Sequence, residues 1–72
     1  MKAKINIDTL SKINSFVAIC SKLDCKVDLV DGNGYRVSGK SLMGAVATME
    51  WGNVYAECER DIYAEIREFV VD

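Results

Sequence analysis

The chain has 72 residues, half of them apolar, with eleven acidic and nine basic side chains and neither histidine nor proline. A chain of this size buries only about 60% of its unfolded surface, so one small domain spanning residues 1–72 is expected, with no linker inside it. The formal charge of −2 lacks the basic stripe of a nucleic-acid binder. No apolar run approaches the roughly 20 residues of a membrane span or forms a secretion leader, so a cytoplasmic protein is expected.

Taken in chain order, residues 2–7 read as a strand, with Ala3, Ile5 and Ile7 alternating against Lys2, Lys4 and Asn6. Asp8 or Thr9 can cap a helix running to about Leu23. Leu10, Ile13, Phe16, Val17, Cys20 and Leu23 form its apolar face, and Ser11, Asn14, Ser15, Ala18 and Lys22 lie outside. Val27 and Leu29, alternating with Lys26 and Asp28, make a second strand. Asp31-Gly32-Asn33-Gly34 is the strongest turn signal, because asparagine and glycine tolerate the positive φ of hairpin turns. It superficially suggests a phosphate-cradling loop but lacks the following helix that such loops need.

Tyr35 and Val37 continue as the returning strand, and a short helix spans about Leu42 to Met49. Trp51-Gly52-Asn53 breaks that helix, with Trp51 expected to cap the core at the corner. Val54, Ala56 and Cys58 alternate as a fourth strand. Ile62, Ile66, Phe69 and Val70 mark a last helix by their spacing. The expected order is βαββαβα. Its one-sided helices imply an α+β open-faced sandwich, a four-stranded antiparallel sheet with three helices on one face. Topology of this kind is shared by many unrelated domains and does not by itself specify function.

The charges are unevenly spread. Glu57, Glu59, Asp61, Glu65, Glu68 and Asp72 stand against only Arg60 and Arg67, which reads as a solvated acidic face on the last helix. Cys20, Cys25 and Cys58 are odd in number and match no metal-ligand spacing. They are expected to be buried, reduced thiols, and no metal or cofactor is expected.

The run from Val37 to Gly44 (Val-Ser-Gly-Lys-Ser-Leu-Met-Gly) carries most of the functional signal. A strand enters a Gly-Lys turn, Ser41 takes the helix N-cap, and two large apolar residues follow in the first helical turn. Lys40-Ser41-Leu42-Met43-Gly44 resembles the regulatory serine region of HPr, the small phosphocarrier of the bacterial sugar phosphotransferase system. Ser21-Lys22-Leu23-Asp24 with the strand at Val27, the Asn33-Gly34 turn, and Gly52 before the fourth strand extend the resemblance over nearly the whole chain.

The resemblance implies an HPr-like fold. It also implies that Leu42, Met43 and Val46 form an apolar patch for partners such as enzyme I, a serine kinase or a regulator, and that Ser41 is a phosphorylation point. The alternative is that these residues pack under the sheet. The resemblance also places Thr9 where the family has its phosphoacceptor histidine. Leu10, Ser11 and Lys12 follow, so the histidine, the arginine two residues on and the proline after it are all missing. Threonine cannot form the labile phosphoramidate, and lysine is a point charge where the family uses an arginine fork.

No catalytic residue is assigned, because the chain has no clustered acid–base pair and no cysteine–histidine or serine–histidine couple. The expectation is a non-catalytic regulatory or adaptor protein acting by protein–protein contact and switched at Ser41. Two alternatives stand beside it: a phosphocarrier with a different acceptor, and a small stand-alone interaction domain unrelated to sugar transport.

Overall fold

A computed structural model describes residues 1–71; Asp72, counted above in the acidic run, lies outside the described residues. Strand β1 covers Lys2–Ile5, helix α1 Leu10–Ser21, β2 Asp28–Val30 and β3 Arg36–Ser38. Helix α2 covers Leu42–Ala47 and runs into a 3-10 turn at Thr48–Glu50. Strand β4 covers Val54–Glu57, and α3 covers Tyr63–Ile66 with a second 3-10 turn at Arg67–Phe69. The four strands form one antiparallel sheet in the order β1-β4-β2-β3. The structure is therefore α+β, an open antiparallel sheet with three helices.

Strand alternation decides which sheet face is covered. The register pairs Ile5 with Val54, Ala3 and Leu29 with Ala56, and Leu29 with Val37. All of these side chains point to one face. Ile13, Phe16 and Cys20 of α1, Ala45 of α2, and Ile62, Ile66 and Phe69 around α3 join Ile5, Leu29, Val54 and Ala56 in a single buried cluster. The opposite face carries Lys2, Lys4, Tyr55, Glu57, Asp28 and Arg36. On that face Arg36 reaches both Asp28 Oδ2 at 2.6 Å and Glu57 Oε1 at 2.8 Å, while Lys2 lies over the Tyr55 ring.

Several boundaries differ from the expected ones, each for a local reason. In the hairpin only Gly34 takes a positive φ, of 96°, and Asn33 does not. The Asp31 carboxylate accepts from the Asn33 and Tyr35 amides at 2.8 and 3.0 Å, and Asp31 N–H donates to Tyr35 O. The connection is thus a three-residue loop closed by a left-handed glycine. The helical stretch expected over Leu42–Met49 tightens to 3-10 geometry from Thr48.

At the C-terminus, Val70 is not on a helix face. It bridges Ile5, while Asn6 N–H donates to Phe69 O and Val71 N–H to Lys4 O. The segment after α3 therefore covers the outer edge of β1, which would otherwise present unpaired backbone groups. Leu10, expected on the buried face of α1, is 59% exposed.

Gly39 is held by a bond from its N–H to Val27 O at 2.7 Å. A Cβ there would lie 3.0 Å from Val27 Cγ1 and 3.2 Å from Val27 O. Gly39→Ala is expected to cost about 1–3 kcal/mol, the usual range for overpacking. Gly34→Ala should cost about 1–2 kcal/mol through its left-handed backbone. A Cβ at Gly52 meets nothing within 4 Å, so Gly52→Ala serves as the neutral control. Urea denaturation of the three variants gives the ranking, and equal midpoints would contradict it.

Candidate functional site

Helix α2 is short, and its ends are fixed by side-chain hydrogen bonds. Ser41 Oγ accepts from Gly44 N–H at 3.1 Å, and the buried Thr48 hydroxyl donates to Ala45 O at 2.7 Å. Ala45 and Thr48 face the core, which fixes the rotation of the helix. Met43 is left 85% exposed, Leu42 48% and Val46 38%. Packing under the sheet is excluded for these three side chains. Met49, which sequence reasoning left out of the patch, is 44% exposed. Its signal was present: Leu42, Val46 and Met49 stand at i, i+4 and i+7.

Lys40 is not free to meet a charge at Ser41. Its Nζ donates to Leu23 O at 2.6 Å, where the carbonyl end of α1 favours a cation. This contact sets the start of α2 beside the exit of α1. Thr9 sits at the other end of α1, roughly 18 Å along a 12-residue helix. Thr9 Oγ1 accepts from Lys12 N–H at 3.2 Å, the ordinary work of an N-cap, and Lys12 Nζ pairs with Asp8 Oδ1 at 3.3 Å. Among the described residues, no hydrogen bond or ion pair joins Thr9, Asp8 or Lys12 to Ser41. Trp51 is half-buried, packs against the core cluster, and lies 6.5 Å from the Tyr35 ring between centroids. It closes the corner between α2 and β4.

The cysteines are not three equivalent buried thiols. Cys20 is fully buried, and burial pushes its thiol up to about 12. Cys58 is buried at the end of β4, but Cys25 is only half-buried, and the two sulfurs lie 3.4 Å apart. Arg60 stands beside them, its Nη1 2.6 Å from Asp24 Oδ1. Among the described residues, no group of three or more His, Cys, Asp or Glu side chains is arranged to hold a metal ion. Among the described residues, no helix is long and apolar enough to cross a membrane.

Comparison with known proteins found no matching family model, no matching curated protein and no matching solved structure. The functional reading therefore rests on the residues themselves.

Two predictions follow from this geometry. Met43→Asp should change stability by no more than about 0.5 kcal/mol, as expected of an exposed position. Phe16→Ala in the core should cost about 3–5 kcal/mol. A large loss for Met43→Asp in urea unfolding would mean that the side chain is packed.

The second concerns pH. The Arg60 guanidinium holds the Asp24 carboxyl below its ordinary 3.8, first by hydrogen bonding and then by charge. A lowered carboxyl pKa means that the pair's contribution is present above the ordinary value and is lost as pH falls through the lowered one. Arg60→Gln should move the Asp24 titration upward, read by carboxyl carbon NMR. A midpoint unchanged by the substitution would refute the pair.

Proposed function

We propose that this chain is an HPr-like adaptor of the βαββαβα type, a non-catalytic protein that works by contact through α2. The observation that carries the reading is the exposure of Leu42, Met43 and Val46 on a helix whose rotation is fixed by buried Ala45 and Thr48. Contiguous exposed apolar patches, unlike apolar residues scattered singly, mark interaction surfaces. Methionine suits such a surface because its flexible thioether adapts to different partners.

Support for a non-carrier role comes from the start of α1. Thr9 caps the helix, Lys12 is paired with Asp8, and the chain has no histidine. Phosphoryl transfer by the family's route has no acceptor nitrogen there. The partners this reading implies are proteins of the enzyme I, serine kinase or regulator kind. Ser41 borders the patch, and a phosphate on it would place roughly −1.5 to −2 charge beside Leu42 and Met43. That change would select among partners without altering the fold.

The test is a backbone NMR titration of the full chain with enzyme I and, separately, with an HPr serine kinase and ATP. Shifts confined to Ser41 through Met49 with either protein, abolished by Met43→Asp, are the expected result. Incubation with enzyme I and phosphoenolpyruvate should leave the protein unlabelled, and acid-labile stoichiometric labelling would overturn the non-carrier reading. Absence of any shift with both proteins would remove the link to sugar transport, leaving the stand-alone interaction domain.

A further inference from the structure

The ends of β2 and β4 bring together two thiols that lie 33 positions apart in sequence. Antiparallel pairing of Asp28 with Glu57, continued outward, sets Val27 opposite Cys58 and places Cys25 diagonally beside it. Cys58 shares parity with Val54 and Ala56, so its thiol lies on the core side of the sheet, and Cys25 meets it from the irregular segment before β2. Their sulfurs are 3.4 Å apart. Cys58 is fixed on both sides of its peptide: its N–H donates to Met1 O at 2.9 Å, and its carbonyl accepts from the Met1 amino group. Cys25 lies in the irregular segment between α1 and β2, where a small backbone adjustment disturbs no sheet hydrogen bond. A surface groove of mixed charge, with Lys26 and Arg60 among its cations and Asp24 and Glu59 among its carboxylates, opens onto the pair.

We propose that Cys25 and Cys58 form a thiol–disulfide site, oxidised to an intramolecular disulfide by a low-molecular-weight disulfide entering that groove. The half-buried Cys25 is the attacking group. Its thiolate adds to one sulfur of the small disulfide, breaking the S–S bond and releasing the first thiolate, which takes up the proton lost by Cys25. The Cys58 thiolate then attacks the Cys25 sulfur of the mixed disulfide and expels the second small thiolate, which takes up the Cys58 proton. Two protein thiols and one small disulfide become one protein disulfide and two small thiols, with no other oxidant required. The short distance from Cys58 favours this second step over persistence of the mixed disulfide.

Cys20 stays outside the reaction, because it is fully buried on α1 and ionises only in strongly alkaline solution. Cys25 is itself held above the ordinary thiol value, first by its hydrogen bond with Cys58 and next by burial, with the charges of Cys58 and Asp24 adding to that rise and Arg60 working against it. Oxidation should accordingly accelerate as pH rises and the thiolate fraction grows. The disulfide would tie the end of β4 to the entry of β2 and restrict the unfolded chain across a long loop, so the oxidised form should melt at a higher temperature. This site is independent of the adaptor reading of α2.

The test uses the reduced full chain, incubated with oxidised glutathione at mildly alkaline pH, acid-quenched, denatured and alkylated with N-ethylmaleimide. The expected product has lost two hydrogens, carries one maleimide and no glutathione, and yields on digestion a Cys25–Cys58 linked peptide with alkylated Cys20. Three maleimides after exhaustive treatment would overturn the proposal. So would a lasting glutathione adduct on Cys25, a bond involving Cys20, or a disulfide-linked dimer as the main product. In Cys25→Ser both remaining thiols should stay alkylable and the melting temperature should no longer respond to oxidised glutathione. A Cys20–Cys58 bond in that variant would also defeat the assignment.

Discussion

Phe16 and Phe69 meet edge to face with ring centroids 5.3 Å apart and an interplanar angle of 82°. Phe16 is the largest fully buried side chain, and Phe69 closes the last 3-10 turn. The contact joins the first helix to the end of the chain, and aromatic pairs in this geometry contribute about 0.5–1.5 kcal/mol beyond their buried area. Much of the fold depends on it. Phe69 O accepts from Asn6 N–H, so fixing the ring also fixes the segment that covers the edge of β1. On its other side, Phe16 approaches Gly39, the residue that leads into α2. One side chain thus touches both the segment that lines β1 and the approach to α2.

The alternation of apolar residues made the strands readable. Ala3 and Ile5, Val27 and Leu29, and Val54 and Ala56 each put one face toward helices whose own apolar positions recur at helical spacing. Period alone could not place element ends. Val70 continues the helical spacing of Ile62 and Ile66, yet a backbone bridge to Ile5 satisfies an open edge and takes it into extended geometry. Leu10 fits the stripe of α1, but it stands in the first turn, beyond the reach of the core. The turn over Asp31–Gly34 was legible, but not which residue takes the positive φ: Gly34 does, while Asp31 closes the loop by accepting two backbone N–H groups.

The candidate site was legible to a different degree in each of its parts. Ser41 as an N-cap follows from local chemistry, and the structure places its Oγ on Gly44 N–H. Exposure of Leu42, Met43 and Val46 depends on which turn of α2 faces the sheet, a tertiary fact fixed by Ala45 and Thr48. The Cys25–Cys58 juxtaposition is tertiary as well. It requires knowing that β2 and β4 are neighbours, which a linear reading does not supply for strands separated by a hairpin and a helix. Parity places Cys58 on the core side just past β4, but the path of the irregular segment that carries Cys25 to it has no period to read.

The two solvent-facing surfaces then differ in kind. On the uncovered sheet face the inner strands carry charge: Asp28 is nearly buried yet paired with Arg36 and within 3.8 Å of Lys26, and Arg36 also holds Glu57. Bound in this network, these groups resist removal from water by an apolar partner, because breaking such pairs leaves a carboxylate without compensation. Two open sheets stacking face to face would have to do that. The helical side is different, since Met43, Leu42, Val46 and Met49 are already partly out of the core, and covering them costs no ionic interaction. A sheet too small to hide both faces thus carries an ion-pair network on the face its helices leave open. On the helical side, α2 and the turn after it gather four exposed apolar side chains, Leu42, Met43, Val46 and Met49, within about two helical turns of the Ser41 cap.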